Sequence, residues 1–154
     1  MTRATKYVAL DVHQATTLAS VRAETGHVIA RTIVPTEARA VLEFFRGLRG
    51  AVHVAFEEGT QAQWLHDLLV PLVHRVVVCD RHGETRRGNK GDRVDADGLS
   101  ARLWRGELRA VYHGSAHRAT LQELTRTYRN LVDDTTRVML RLKALYRARA
   151  IPTR

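Results

Sequence analysis

Lys6-Tyr7-Val8-Ala9-Leu10-Asp11-Val12 is short, mostly apolar and β-leaning, and it carries a carboxylate near its end. It reads as a buried strand. Downstream, Thr17 to Ala23 alternates apolar and polar residues, Glu24-Thr25-Gly26-His27 is a turn signal, and Val28 to Val34 resumes with β-branched residues. These two segments predict a hairpin. Pro35-Thr36 closes the strand, and Thr36 is expected to cap a helix over Ala38 to Arg49 with Val41, Leu42, Phe45 and Leu48 on one face. Val52-His53-Val54-Ala55-Phe56 is a second buried strand, ending on Glu57-Glu58-Gly59. Thr60 is expected to cap a helix through Leu69, with Trp64, Leu65 and Leu68 inward and a stop near Pro71. Arg75-Val76-Val77-Val78-Cys79-Asp80 completes the set as a third apolar strand. The order β-β-β-α-β-α-β predicts a mixed sheet with helices covering its faces.

Beyond Asp80 the pattern changes. Arg81 to Arg93 contains Arg81, Arg86, Arg87, Lys90 and Arg93 among His, Gly and Asn, and offers no core residues, so an exposed basic loop is expected. A helix follows over Val94 to Arg105, with Leu99, Leu103 and Trp104 apolar and Gly106 as its stop. From His117 to Arg149, Leu121, Leu124, Tyr128, Leu131, Thr135, Val138, Leu142 and Leu145 recur at alternating steps of three and four. That is a heptad seam. It fits a coiled-coil dimer or a helical hairpin, the alternative being one long helix packed on its own domain. The expected organisation is one domain over residues 1–112 and a heptad helix over 117–150.

The 154 residues suit one compact domain with an appended helix, and 44% hydrophobic with 27% charged residues excludes wholesale disorder. No apolar run reaches membrane-spanning length and no signal peptide is visible. The single cysteine, Cys79, excludes an internal disulfide and fits a reducing, cytoplasmic location. The net charge of +9 is unevenly spread: residues 1–80 hold 8 basic and 8 acidic side chains, residues 81–154 hold 17 and 8. A neutral first half beside a strongly basic second half points to a polyanionic partner. Although 22 of the 25 bases are arginine, an even genomic bias would not leave the first half neutral.

Four acids are candidates for chemistry: Asp11, Glu57, Asp92 and Asp95. Asp11 lies in the first strand and Glu57 ends the fourth, so the two emerge side by side if those strands are neighbours. Asp92 and Asp95 are three apart at a helix start and share a face. Carboxylates gathered this closely would repel without a hard divalent cation. Mg²⁺ or Mn²⁺ suits oxygen ligands, and a pair of such ions ~3.5–4 Å apart serves phosphodiester chemistry. Taken singly, Asp92 and Asp95 equally suit a helix dipole, and Glu57 with Glu58 equally suits a loop.

The segment Tyr7-Val8-Ala9-Leu10-Asp11-Val12-His13 resembles the opening of the DEDD transposases, the insertion-sequence one-hundred-and-ten family. That family is related to Piv-type DNA invertases and similar in this domain to RuvC resolvases. The resemblance continues through Ala55-Phe56-Glu57-Glu58-Gly59-Thr60 with Trp64-Leu65, then Val76-Val77-Val78-Cys79-Asp80. It extends to Gly91-Asp92-Arg93-Val94-Asp95-Ala96, Leu103-Trp104-Arg105-Gly106-Glu107-Leu108 and Leu142-Lys143-Ala144-Leu145-Tyr146.

The resemblance implies a ribonuclease-H-like, RuvC-like α/β fold with a long C-terminal coiled-coil helix. It also implies a metal-dependent DNA transposase or site-specific recombinase, directed in at least some members by a structured RNA. Carried across, the family's acids are Asp11, Glu57, Asp92 and Asp95; Glu58 follows Glu57 where the family has a small residue. Asp97, two residues beyond Asp95, is expected to point elsewhere. The family places a nucleophilic serine in a downstream domain, and none of Ser20, Ser100 and Ser115 has a matching context, so an incomplete N-terminal portion, inactive alone, is expected. Arg86, Arg87, Lys90 and Arg93 are the expected phosphate contacts, with Arg126, Arg129, Arg137, Arg141 and Lys143 a second track or else a solvated helix face. The expected partners are DNA, a guide RNA and a second copy of the chain, with no membrane. His113 and His117 lack further zinc ligands, no Walker-type loop is present, and Trp64 and Trp104 are expected in the core. Two rival readings stand beside the recombinase: a RuvC-like junction nuclease, and a non-catalytic nucleic-acid-binding dimerisation module.

Overall fold

The computed structural model describes residues 4–80, 92–111 and 116–152. The chain divides into two units, Met1–His113 and Gly114–Arg154. The first contains β1 (Thr5–Val12), β2 (Thr16–Ala23), β3 (Val28–Pro35), α1 (Ala38–Gly47), β4 (Ala51–Glu57), α2 (Ala62–Leu69), β5 (Arg75–Cys79) and α3 (Asp92–Arg105). The second contains α4 (Ala116–Arg147).

The sheet order is β3-β2-β1-β4-β5. β1, β2 and β3 form an antiparallel meander, while β1–β4 and β4–β5 are parallel. Consecutive apolar residues in β1, β4 and β5 are explained by burial from both sides. Val8, Leu10, Val21, Val54, Phe56 and Val78 meet Val41 and Phe45 of α1 and Leu65 and Leu69 of α2. On the opposite face Ala9, Ala55, Val77 and Cys79 meet Leu99 and Leu103 of α3. This mixed five-stranded sheet with flanking helices is consistent with the expected ribonuclease-H-like fold.

Local details correct several expectations. Thr36 does not cap α1, whose N-cap is Glu37 without a side-chain hydrogen bond. Instead the Thr36 hydroxyl donates to the His13 carbonyl at 2.8 Å and lies 2.9 Å from the Thr17 hydroxyl, tying the end of β3 to the β1–β2 turn. In α1, Val41 and Phe45 are buried, whereas Leu42 is only partly so. Thr60 is likewise not a cap; Gln61 precedes α2, which begins at Ala62. That phase buries Ala62, Leu65 and Leu69 and leaves Trp64, ~100° around the helix from Leu65, 37% exposed. Trp64 is therefore not a core residue.

α3 begins at Asp92, two residues earlier than expected, so Asp92 and Asp95 both fall within its opening turns. It ends at Gly106, whose φ of +74° suits glycine. There Gly106 N–H donates to the Leu103 carbonyl and Glu107 N–H to the Arg102 carbonyl, closing a Schellman motif. The chain then returns to β5 through a bridge between Cys79 and Ala110. Trp104 is also corrected: it is 40% exposed, and its indole N–H donates to the Glu24 carbonyl at 3.0 Å.

α4 is a 32-residue helix, and Leu121, Leu124, Tyr128, Leu131, Val138, Leu142 and Leu145 are all exposed along it. Thr135, the polar member of the seam, donates its hydroxyl to the Leu131 carbonyl within the helix at 2.8 Å. No helix among the described residues is long and apolar enough to cross a membrane.

Candidate metal and nucleic-acid site

Parallel pairing of β1 with β4 runs in step from Thr5↔Ala51 to Leu10↔Phe56. The next position in each strand is an acid, Asp11 in β1 and Glu57 in β4. Side chains one step beyond Leu10 and Phe56 point to the opposite face, the one α3 covers. On that face two neighbouring rows run across the sheet. One consists of Arg31, Ser20, Ala9, Ala55 and Val77; the other of Ile33, Leu18, Asp11, Glu57 and Cys79. Two carboxylates from neighbouring strands thus stand together in the second row, near the carboxyl ends of β1 and β4.

Asp11 is partly buried, with its side chain 26% exposed, and its Oδ2 lies 3.2 Å from Nε2 of His13. His13 was not singled out from sequence, although its spacing of two from Asp11 is the strand period and signals a shared face. Glu57 is exposed, and Glu58 N–H donates to the Cys79 carbonyl at 2.8 Å. Cys79 itself is buried; desolvation first, then the Glu57 carboxylate, push its thiol up to about 11. Asp95 is exposed in α3, and Asp92 opens that helix. Among the described residues no three His, Cys, Asp or Glu side chains stand close enough to hold an ion, and the Asp92 side chain lies outside them.

The donors present fit a hard divalent cation. Asp11 and Glu57 supply carboxylate oxygens at a partly exposed sheet end, whereas the lone thiol is buried and protonated and so a poor ligand for a softer metal.

Asp97 points away from Asp95, as its spacing implies, and enters a network that sequence did not reveal. Its carboxylate accepts Ser20 Oγ–H at 2.6 Å, and Arg31 through Nε at 3.0 and 2.9 Å and Nη2 at 2.6 Å. Burial would raise the Asp97 carboxyl, but the hydrogen bonds from Arg31 and Ser20 and the charges of Arg31 and Arg22 hold it below the ordinary aspartate value. The 66-residue separation of Arg31 from Asp97 left no local signal.

Of the expected nucleic-acid contacts, Arg86, Arg87 and Lys90 lie outside the described residues, as does the side chain of Arg93 in the first turn of α3. Arg126, Arg129, Arg137 and Arg141 are exposed on α4, with Arg137 2.9 Å from Asp134. At ~100° per residue these four arginines fall on one stripe, opposite the heptad seam, with Lys143 off to one side.

The family model of DEDD transposases of the IS110 type, described as a transposase, matches residues 8–148. Curated proteins give no match to the chain. The match takes in Asp11, Glu57 and all of the sheet but the first three residues of β1, with the whole of α3 and α4. The chain belongs to the IS110-type DEDD transposase family.

Proposed function

We propose that this chain provides the acidic, metal-binding centre of a DNA transposase or site-specific recombinase. Its organisation is a RuvC-like domain over residues 1–112 and a pairing helix over 117–150. Asp11, Glu57, Asp92 and Asp95 hold Mg²⁺ or Mn²⁺ in this reading. An ion held there would supply Lewis-acid stabilisation of charge on a phosphodiester during strand cleavage and exchange. Arg86, Arg87, Lys90 and Arg93 precede or begin α3 and would receive the phosphates of DNA, or of a guide RNA, beside the acids. On α4 the seam would pair with a second copy, leaving Arg126, Arg129, Arg137 and Arg141 on the outer side for a nucleic-acid backbone.

The observation that carries this reading is the cross-strand register. Leu10 pairs with Phe56, and an acid follows each, on the face covered by the helix that begins at Asp92. A labelled four-way junction incubated with the full chain and Mg²⁺ or Mn²⁺, beside Asp11→Ala, tests it. Junction binding or nicking that requires the ion and is lost in Asp11→Ala supports the metal-dependent centre. Ion-independent binding without nicking, equal in both proteins, supports instead a non-catalytic binding and dimerisation module. The apolar seam and arginine stripe of α4 favour that second reading.

A further inference from the structure

We infer that Asp97 is a positioning residue: docked on Arg31 and Ser20, it fixes the roll of α3 over the sheet and thereby the placement of Asp95 relative to Asp11 and Glu57. The inference rests on the proposed four-acid ion site.

Apolar packing alone sets this roll weakly. The apolar residues that α3 buries are Ala96, Leu99 and Leu103, and the floor beneath includes Ala9 and Ala55. Small side chains bring the helix close but form shallow ridges, so several rolls bury similar area. Directional bonds distinguish among them. Besides the Asp97 carboxylate contacts, Arg22 donates through Nη2 to the Asp97 carbonyl at 3.1 Å and through Nε to Ser100 Oγ at 3.3 Å. Ser100 Oγ–H also donates to the Asp97 carbonyl at 2.9 Å. Seven residues on, Trp104 reaches the Glu24 carbonyl and lays its ring against Gly26. The sheet partners Ser20, Arg22, Glu24, Gly26 and Arg31 all belong to β2, β3 or their turn. Arg31 and Ser20 stand in the row next to the one that carries Asp11 and Glu57.

Helical phase makes this a lever. Ala96, Leu99 and Leu103 face the sheet, while Asp97 and Trp104 lie on one flank and Asp95 and Arg102 on the other. Any roll that lifts Asp97 from the hairpin turns Asp95 through the same angle. With side chains reaching ~5–6 Å from the axis, a roll of ~20° shifts a carboxylate by about 2 Å. Metal–oxygen bonds of ~2.0–2.6 Å do not survive such a shift.

The test is Mn²⁺ affinity, read from the free-ion electron paramagnetic resonance signal. It uses the full chain, Asp97→Ala, Arg31→Ala, Asp11→Asn and Val41→Ala, at a temperature where circular dichroism shows every variant folded. Arg31→Ala separates positioning from charge, because removing a cation would by Coulomb attraction alone tighten divalent-ion binding. We expect both Asp97→Ala and Arg31→Ala to weaken Mn²⁺ binding by roughly tenfold, with faster hydrogen exchange of the α3 amides. Val41→Ala, a destabilising change on the other face of the sheet, should leave affinity unchanged. Native-like or tighter binding in a folded Arg31→Ala overturns the inference alone. A native chain that binds no Mn²⁺, or binds it as Asp11→Asn does, overturns the ion site and the inference with it.

Discussion

Glu57 and Cys79 are paired across β4 and β5, and the carboxylate of one helps keep the thiol of the other protonated. The thiol is also buried, with Cys79 Sγ 3.5 Å from the Phe56 carbonyl oxygen. A group whose pKa is pushed up to about 11 carries almost no thiolate at neutral pH, and thiolate is the reactive form. Native chain should therefore resist a thiol-specific disulfide reagent at pH 8 and react stoichiometrically once unfolded in guanidinium. Rapid labelling of folded chain at pH 8 would show the thiol to be open.

Gly26 adopts φ +88°, and a Cβ built there would meet the Trp104 ring at 2.9 Å. Gly26→Ala thus strains the hairpin turn and displaces the indole at once. The expected loss is about 1–3 kcal/mol, read as a lower thermal midpoint with a change in tryptophan fluorescence. Gly59→Ala, where an added Cβ meets nothing within 4 Å, is the control and should change little.

The phase of α2 and the two-sided burial of β4 give a second stability contrast. Phe56 is fully buried, while Trp64 projects outward despite its size. Phe56→Ala should lower stability by about 3–5 kcal/mol and Trp64→Ala by about 1 kcal/mol. Comparable shifts of the urea midpoint for the two would place Trp64 in the core after all.

For the acids, linkage supplies the scale. An ion that binds only the folded chain stabilises it by about 2.7 kcal/mol at one hundred times its dissociation constant. Mn²⁺ should raise the thermal midpoint of the native chain and leave that of Asp92→Ala/Asp95→Ala unmoved. Equal shifts in both proteins would sink the four-acid site.

The seam of α4 presents Leu131 and Val138 at about 60% exposure, and pairing with a second copy would take this apolar stripe out of water. Sedimentation equilibrium of the full chain at micromolar concentration should give a dimer or larger. Leu131→Asp should shift it to monomer; a monomeric native chain would remove the pairing role.

Local periodicity determined the strands, the hairpin, the helices and their order, because short apolar runs such as Val8-Ala9-Leu10 and Val77-Val78-Cys79, bounded by turn signals, suit strands buried on both faces. The acids Asp11 and Glu57 were legible for the same reason, each standing next to the apolar stretch of its strand. Helix starts and inward faces were less legible. Thr36 found better partners in His13 and Thr17 than the first turn of α1, and the inward face of α2 runs through Ala62, Leu65 and Leu69, which leaves Trp64 outside it. Only the tertiary structure decided that Asp11 and Glu57 stand one step beyond the last paired residues of neighbouring strands, because that pairing joins segments more than forty residues apart. It alone revealed the Asp97–Arg31–Ser20 tie, whose members are ordinary strand and helix residues in sequence. Hydrogen bonds are short-ranged and directional, so which polar groups meet is settled by the packing of α3 on the sheet, whereas apolar periodicity is written into each segment by itself.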